Sequence, residues 1–267
     1  MEPAENLIHN QQAAIGDDMG TSRRTIGRLN CTEINGNNTE ESPEAAVILC
    51  HGYGAPGDDL VDIGHHVLGM DDRIADRVRF VFPEAPISLE EAGIPGGRAW
   101  WPLRVAELIE LAESGDFERV VKSVPDGMDE SRDLVLEVVQ QVCDETSLPL
   151  SKILIGGFSQ GAMQMADVAF HLDESPAILI QMSGILIALD RWKELAPNRK
   201  GMKVLQSHGQ MDPILPFVAA EWLREFLLES GIEVEFIPFM GPHAIPGPVL
   251  FRLKERIVEV LDEEDPG

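Results

Sequence analysis

A serine held between two glycines, at the point where an apolar strand pattern gives way to an apolar helix pattern, restricts the fold of this chain more than any other feature. The stretch is Gly157-Phe158-Ser159-Gln160-Gly161, preceded by the strand-like residues 152–155 and followed by the Ala- and Met-rich residues 162–170. Strand, G-x-S-x-G and helix in that order form the pattern of a nucleophile elbow, in which a strained reversal lifts a serine hydroxyl from the end of a sheet. So sharp a turn brings strand and helix so close that a Cβ at Gly157 or Gly161 would strike the neighbouring backbone. The helix opens with unpaired amides and the positive end of a dipole, which favours negative charge developing beside Ser159. Three fixed letters also arise by accident in a chain of 267 residues. The weight therefore rests on context: the strand before, the buried helix after, and partners downstream in the expected order.

Short apolar runs alternate with helical patterns along the chain. Strands are expected at residues 45–50, 78–82, 152–155, 177–182, 203–207 and 233–239, with one weak edge strand at 25–34. Helices are expected at 58–68, 129–146, 162–170, 191–195, 216–229 and 248–261; in the second, Leu134, Val135, Val138, Val139 and Val142 recur at helical spacing. This alternation predicts an α/β fold, a mostly parallel sheet with helices on both faces. Residues 1–22 read as a mobile N-terminal tail and residues 23–267 as a single domain. Within it, residues 87–126 are irregular and Gly/Pro-rich, with one helix expected at 104–114, and read as an insertion near the pocket.

Charge and cysteine usage exclude whole classes of function. Acidic residues outnumber basic ones 46 to 21, a formal charge of -25, so the surface repels phosphate backbones and anionic lipid, and no nucleic-acid partner is expected. No segment approaches the roughly eighteen apolar residues of a spanning helix, so stable membrane insertion is not expected. The N-terminus lacks the basic and apolar regions of a signal peptide. Cys31, Cys50 and Cys143 form no C-x-x-C pair and read as reduced thiols of a cytoplasmic protein.

In a parallel sheet, residues just past the carboxyl ends of strands gather at one rim. Ser159, Asp212 and His243 each follow a different predicted strand, in the order nucleophile, acid, base. An alcohol is a poor nucleophile near neutral pH, so His243 is expected to take the Ser159 proton and Asp212 to orient the imidazole. Asp190 is the rival acid, read instead as a helix cap before Arg191. His51 is expected to shape the glycine loop, His208 to bond the strand end, and His171 to end a helix. The backbone amides of Gln160 and of Tyr53, between Gly52 and Gly54, are the expected oxyanion donors. Trp100, Trp101, Met163 and Met211 are expected to line the substrate pocket, although core packing is the commoner role of such residues. Asp58, Asp59, Asp62, His65 and His66 could be imagined as ligands, but a solvated charged helix face is the simpler reading and no metal is expected.

Several further motifs accompany these residues. His51-Gly52-Tyr53-Gly54 with Asp59-Leu60, Phe82-Pro83 with Ala85-Pro86, Ala99-Trp100, residues 157–162 as G-F-S-Q-G-A, Ser183-Gly184, His208-Gly209 with Asp212 and Pro216, and His243 together span most of the chain. In these motifs the sequence resembles the phospholipase/carboxylesterase family of α/β-hydrolases, which includes acyl-protein thioesterases. The resemblance implies cofactor-free hydrolysis of carboxylic esters or thioesters through an acyl-enzyme. Trp101, Pro102 and Leu103 stand where members often carry an aromatic residue and an aspartate, and Pro242, Pro246 and Pro248 crowd the His243 loop. A serine esterase for short or medium acyl chains is the leading expectation. A protein or lipid thioesterase and a non-catalytic ligand-binding protein of the same fold are the alternatives. The oligomeric state stays open, a homodimer included.

Overall fold

Six consecutive apolar residues, Ala45–Cys50, form β3, and every one of them is buried, because this strand is covered on both faces. The computed structural model describes residues 20–35, 42–103 and 121–263. Around β3 is built an eight-stranded sheet in the order β1-β2-β4-β3-β7-β8-β9-β10. Its strands are β1 (Thr21–Ile26), β2 (Leu29–Ile34), β4 (Val78–Pro83), β7 (Ile153–Phe158), β8 (Ile178–Met182), β9 (Lys203–Gly209) and β10 (Glu233–Phe239). From β4 to β10 all neighbours pair in parallel. The first two strands are antiparallel at one edge.

Alternate side chains of the central strands feed two cores. Ile48 and Ile155 face one cluster with α3 (Met128–Thr146), α4 (Gln160–His171), α5 (Leu189–Leu195) and α6 (Phe217–Glu229). Val47, Leu49 and Leu154 face the other, with α1 (Val61–Leu68), α2 (Asp72–Arg77) and α7 (Gly247–Asp262). The period-two alternation of a strand is what lets β3 and β7 hold two helical layers at once.

The edge departs from expectation. The sequence predicts one weak strand at 25–34, whereas the structure has a hairpin, β1 and β2, turning at Gly27 with φ 57. β1 starts at Thr21, inside the stretch read as tail; residues 1–19 lie outside the described residues. Its register is fixed by charge more than by apolar packing. Glu33, 2% exposed, accepts from Arg79 Nε at 2.7 Å and Arg24 Nε at 2.5 Å, while Glu145 of α3 accepts from Arg24 Nη1 at 2.9 Å and Arg79 Nη2 at 3.0 Å.

The insertion at 87–126 contributes a small hairpin, β5 (Ile87–Ser88) and β6 (Arg98–Ala99). Its helix expected at 104–114 lies outside the described residues. The hairpin is tied to the loop after β3: Gly54 N–H donates to the Arg98 carbonyl at 2.9 Å and Arg98 N–H to the Ala55 carbonyl at 3.0 Å.

Chain order along the sheet reverses at β3, with β4 on one side and β7 on the other. The carboxyl ends of these strands open a crevice at the reversal, where α/β sheets bind ligands. The segments that emerge there are the glycine loop, from β3, and Ser159, from β7.

Candidate active site

At Ser159 the backbone is in a conformation that L-residues avoid, φ 55 and ψ -118, and its N–H donates to the Met182 carbonyl at 2.9 Å. Such a residue stores strain of about 1–3 kcal/mol and persists where its surroundings over-determine it. The surroundings are backbone. A Cβ at Gly161 would lie 2.1 Å from the Cys50 carbonyl oxygen, and one at Gly157 would lie 2.4 Å from the same atom. Both glycines are therefore required for α4 to start directly above the end of β3. Gly52 crosses close by, since a Cβ there would sit 3.4 Å from Ser159 Cβ.

Asp212, from the loop after β9, meets His243, from the loop after β10. His243 Nδ1 lies 2.6 Å from Asp212 Oδ2. The other carboxylate oxygen, Oδ1, accepts the amides of Ile214 at 2.8 Å and Leu215 at 2.9 Å. Burial pushes the Asp212 carboxyl up, but hydrogen bonds from His208, His243 and the Leu215 and Ile214 amides outweigh it and hold the acid well below the usual carboxylate range. The Asp212 side chain is wholly buried and that of His243 is 10% exposed. Phe158, directly before Ser159, packs on the His243 ring with centroids 4.6 Å apart, which links the imidazole to the elbow. Two contacts hold the His243 loop to β9: Met211 N–H donates to the Gly241 carbonyl at 3.0 Å, and a Cβ at Gly209 would meet the Pro242 oxygen at 2.3 Å.

The glycine loop that carries Tyr53 rests on buried polar contacts. His51, 1% exposed, accepts the Ala85 amide on Nε2 at 3.1 Å, so its proton sits on Nδ1, which donates to the Gly52 carbonyl at 2.8 Å. Burial lowers its pKa and keeps the ring neutral. Trp100 Nε1 donates to the His51 carbonyl at 2.9 Å. The Gln160 side chain, fully buried, accepts the Trp100 amide at 3.0 Å and donates to the Trp101 carbonyl at 2.9 Å. Through Trp100, the residue that opens α4 is braced against the loop that holds Tyr53.

These contacts revise the pocket expected from sequence. Trp100 and Trp101 are 0% and 1% exposed and Met163 is 5% exposed, all three within the core. Trp100 is a brace beneath the loop, because its indole N–H has a buried acceptor to satisfy. Met211 stands at the rim, 59% exposed. Asp190 is exposed in the first turn of α5; the cap position is Ala188, in left-handed backbone with φ 48, so Asp190 does not cap the helix. Asp58 pairs with Arg23, and His65 Nε2 lies 3.1 Å from Thr21 Oγ1. Sequence reasoning missed the Gln160 side chain and the contact of His208 with Asp212; the second carried a signal, the i to i+4 spacing of the two residues.

Residues 30–260 match the phospholipase/carboxylesterase family. An acyl-protein thioesterase 1 from Eremothecium gossypii is 30% identical over 229 residues, 83% of this chain and 90% of the relative. The acyl-protein thioesterase 1 homolog 1 of Dictyostelium discoideum is 26% identical over 208 residues, covering 76% and 84%. Among solved structures, esterase PE8 superposes with a TM-score of 0.68 at 25% identity, covering 85% of this chain and 97% of the other. Arabidopsis thaliana SOBER1 does so at 0.65 and 20% identity, covering 82% and 99%. Strand order, elbow and matched span agree: the chain has the α/β-hydrolase fold and belongs to the phospholipase/carboxylesterase family, as a carboxylic ester hydrolase.

Proposed function

We propose that this enzyme hydrolyses carboxylic esters and thioesters through an acyl-enzyme on Ser159, with His243 as base and Asp212 as its orienting acid. The observation that carries the reading is the 2.6 Å contact between His243 Nδ1 and Asp212 Oδ2, at the rim where the backbone of Ser159 is forced to φ 55. With its proton held on Nδ1 by the carboxylate, the imidazole offers Nε2 as the base. Ser159 Oγ attacks the acyl carbon and His243 takes its proton. The backbone amides of Tyr53 and Gln160 bind the oxyanion of the tetrahedral intermediate. Collapse expels the alcohol or thiol with that proton, and a water activated by the same histidine releases the acid.

A continuous sheet from Thr21 to Phe239 supports one catalytic domain, which begins with β1 two residues earlier than the boundary expected at residue 23. Among the described residues no helix is long and apolar enough to cross a membrane. The three cysteines are free thiols, which supports a reducing, cytoplasmic setting.

A fluorophosphonate probe tests the nucleophile: covalent labelling of the folded chain is lost in Ser159→Ala. Folded wild type that takes no label overturns the reading and favours a non-catalytic binder. The named thioesterases among the relatives raise the second question, ester against thioester. Matched oxygen and sulfur esters across an acyl-chain series answer it, with long acyl thioesters outpacing short aryl esters if the thioester is preferred.

A further inference from the structure

Asp212 holds a second imidazole. His208, near the end of β9, is fully buried, and its Nε2 lies 2.8 Å from the Leu215 carbonyl oxygen and 3.3 Å from Asp212 Oδ2. Both neighbours are acceptors, so Nε2 carries the proton and donates to both. Nδ1 is buried with no hydrogen-bond partner among the described residues, and Phe217 of α6 meets the ring edge-on with centroids 6.2 Å apart. The Oδ2 that faces His208 is the one that accepts from His243. Among the described residues, the titratable side chains on this carboxylate are His208 from β9 and His243 from the loop after β10. Its other contacts are the Ile214 and Leu215 amides, and the ring against His243 is Phe158 of β7, which does not titrate.

We propose that His208 is a positioning residue that acts through Asp212, sharing Oδ2 with His243 and so moderating how strongly the carboxylate holds the His243 proton. The proposal rests on the triad reading above. A donor on Oδ2 draws off charge that would otherwise stabilise the imidazolium. Without that donor the imidazolium gains stability, and a base that holds its proton longer is available only at higher pH. The bond to the Leu215 carbonyl fixes the plane in which the carboxylate meets His243.

The test is the pH profile of kcat/KM for an aryl ester, with full-length His208→Leu and His208→Gln enzymes normalised by fluorophosphonate titration of active sites. Removing the donor in His208→Leu moves the acid limb up by about half a pH unit and lowers the plateau about tenfold through kcat, with KM unchanged. In His208→Gln the side-chain amide reaches the same acceptors and returns the limb close to wild type. If His208→Leu does not fold, His208→Asn replaces it, because the shorter amide cannot reach both acceptors. An unmoved limb in the donor-deficient variant, or equal shifts in it and in His208→Gln, overturns the proposal. Asp212→Asn measured alongside separates the two failures: its full activity sinks the triad reading, and its inactivity beside an unmoved His208 limb sinks this inference alone.

Discussion

Replacing Asp212 by asparagine changes one atom, and the structure dictates where that atom goes. The Ile214 and Leu215 amides, at 2.8 and 2.9 Å from Oδ1, require an acceptor, so the carbonyl oxygen of the asparagine takes that place. Its NH2 group then falls where Oδ2 stood, 2.6 Å from His243 Nδ1. An N–H pointed at Nδ1 forces the His243 proton onto Nε2, the nitrogen that accepts from Ser159 in the proposed mechanism. The base is thus held in the wrong tautomer and its cation loses a buried counter-charge. Together these should lower kcat by about 10³–10⁴, or about 4–5.5 kcal/mol of transition-state stabilisation. Folding suffers far less, because both backbone amides stay satisfied; the new N–H faces the His208 donor 3.3 Å away, which costs about 1–2 kcal/mol. Asp212→Ala should be about as inactive yet clearly less stable, since it orphans the two amides. Aryl-ester turnover with urea unfolding of both variants provides the check. If Asp212→Asn retains more than about a tenth of wild-type kcat, or Asp190→Asn loses more, the assignment of the acid is wrong.

Three further outcomes follow from contacts already described. Ser159→Gly should abolish turnover while raising stability by about 1 kcal/mol, because glycine accepts φ 55 without strain; an unchanged or lower melting temperature contradicts the strain assigned to the elbow. Trp100→Phe leaves the buried His51 carbonyl without its donor, and kcat should fall by about one to two orders of magnitude with KM little changed, as Tyr53 loses its support; a pure KM effect would mean that Trp100 serves substrate binding instead. Glu145, held down at about 2 chiefly by the hydrogen bond from Arg24, contributes stability that is fully present above its ordinary value of 4.5 and is lost as the pH falls through about 2. With a third of the side chain in solvent the contribution is screened to about 1 kcal/mol, so the stability gap between wild type and Glu145→Gln should close between about pH 5 and 2; a gap constant with pH refutes it.

How much of this was legible in the sequence depended on what holds each part together. β3, β7 and β8 are buried on both faces, so their apolar runs stand out without any partner being known. β1 reads Thr-Ser-Arg-Arg-Thr-Ile and is held by ion pairs reaching to Glu33 and Glu145, neither of which can be matched to it by local pattern. The turn at Gly27 is a local signal, but a lone glycine within a weakly alternating run reads equally as part of one strand. Ser159, Asp212 and His243 could be singled out because each follows a strand end. The brace could not, because Gln160 is sixty residues from Trp100 and bonds the Trp100 amide and the Trp101 carbonyl, backbone groups that no side-chain pattern encodes. For the same reason Trp100 reads as pocket wall: the burial of its indole N–H depends on the His51 carbonyl, supplied from elsewhere in the fold.

The residues of the proposed triad do not share one anchorage. Ser159 leaves a strand with a neighbour on either side, whereas His243 leaves β10, the last strand of the sheet, most of whose residues are only half covered. Peripheral strands open first when a fold is loosened, at a lower free energy than the centre. Warming or mild denaturant should therefore silence this catalyst by swinging its proton acceptor out of reach while the serine still stands in an intact frame, and cooling should restore it without any refolding of the middle of the molecule.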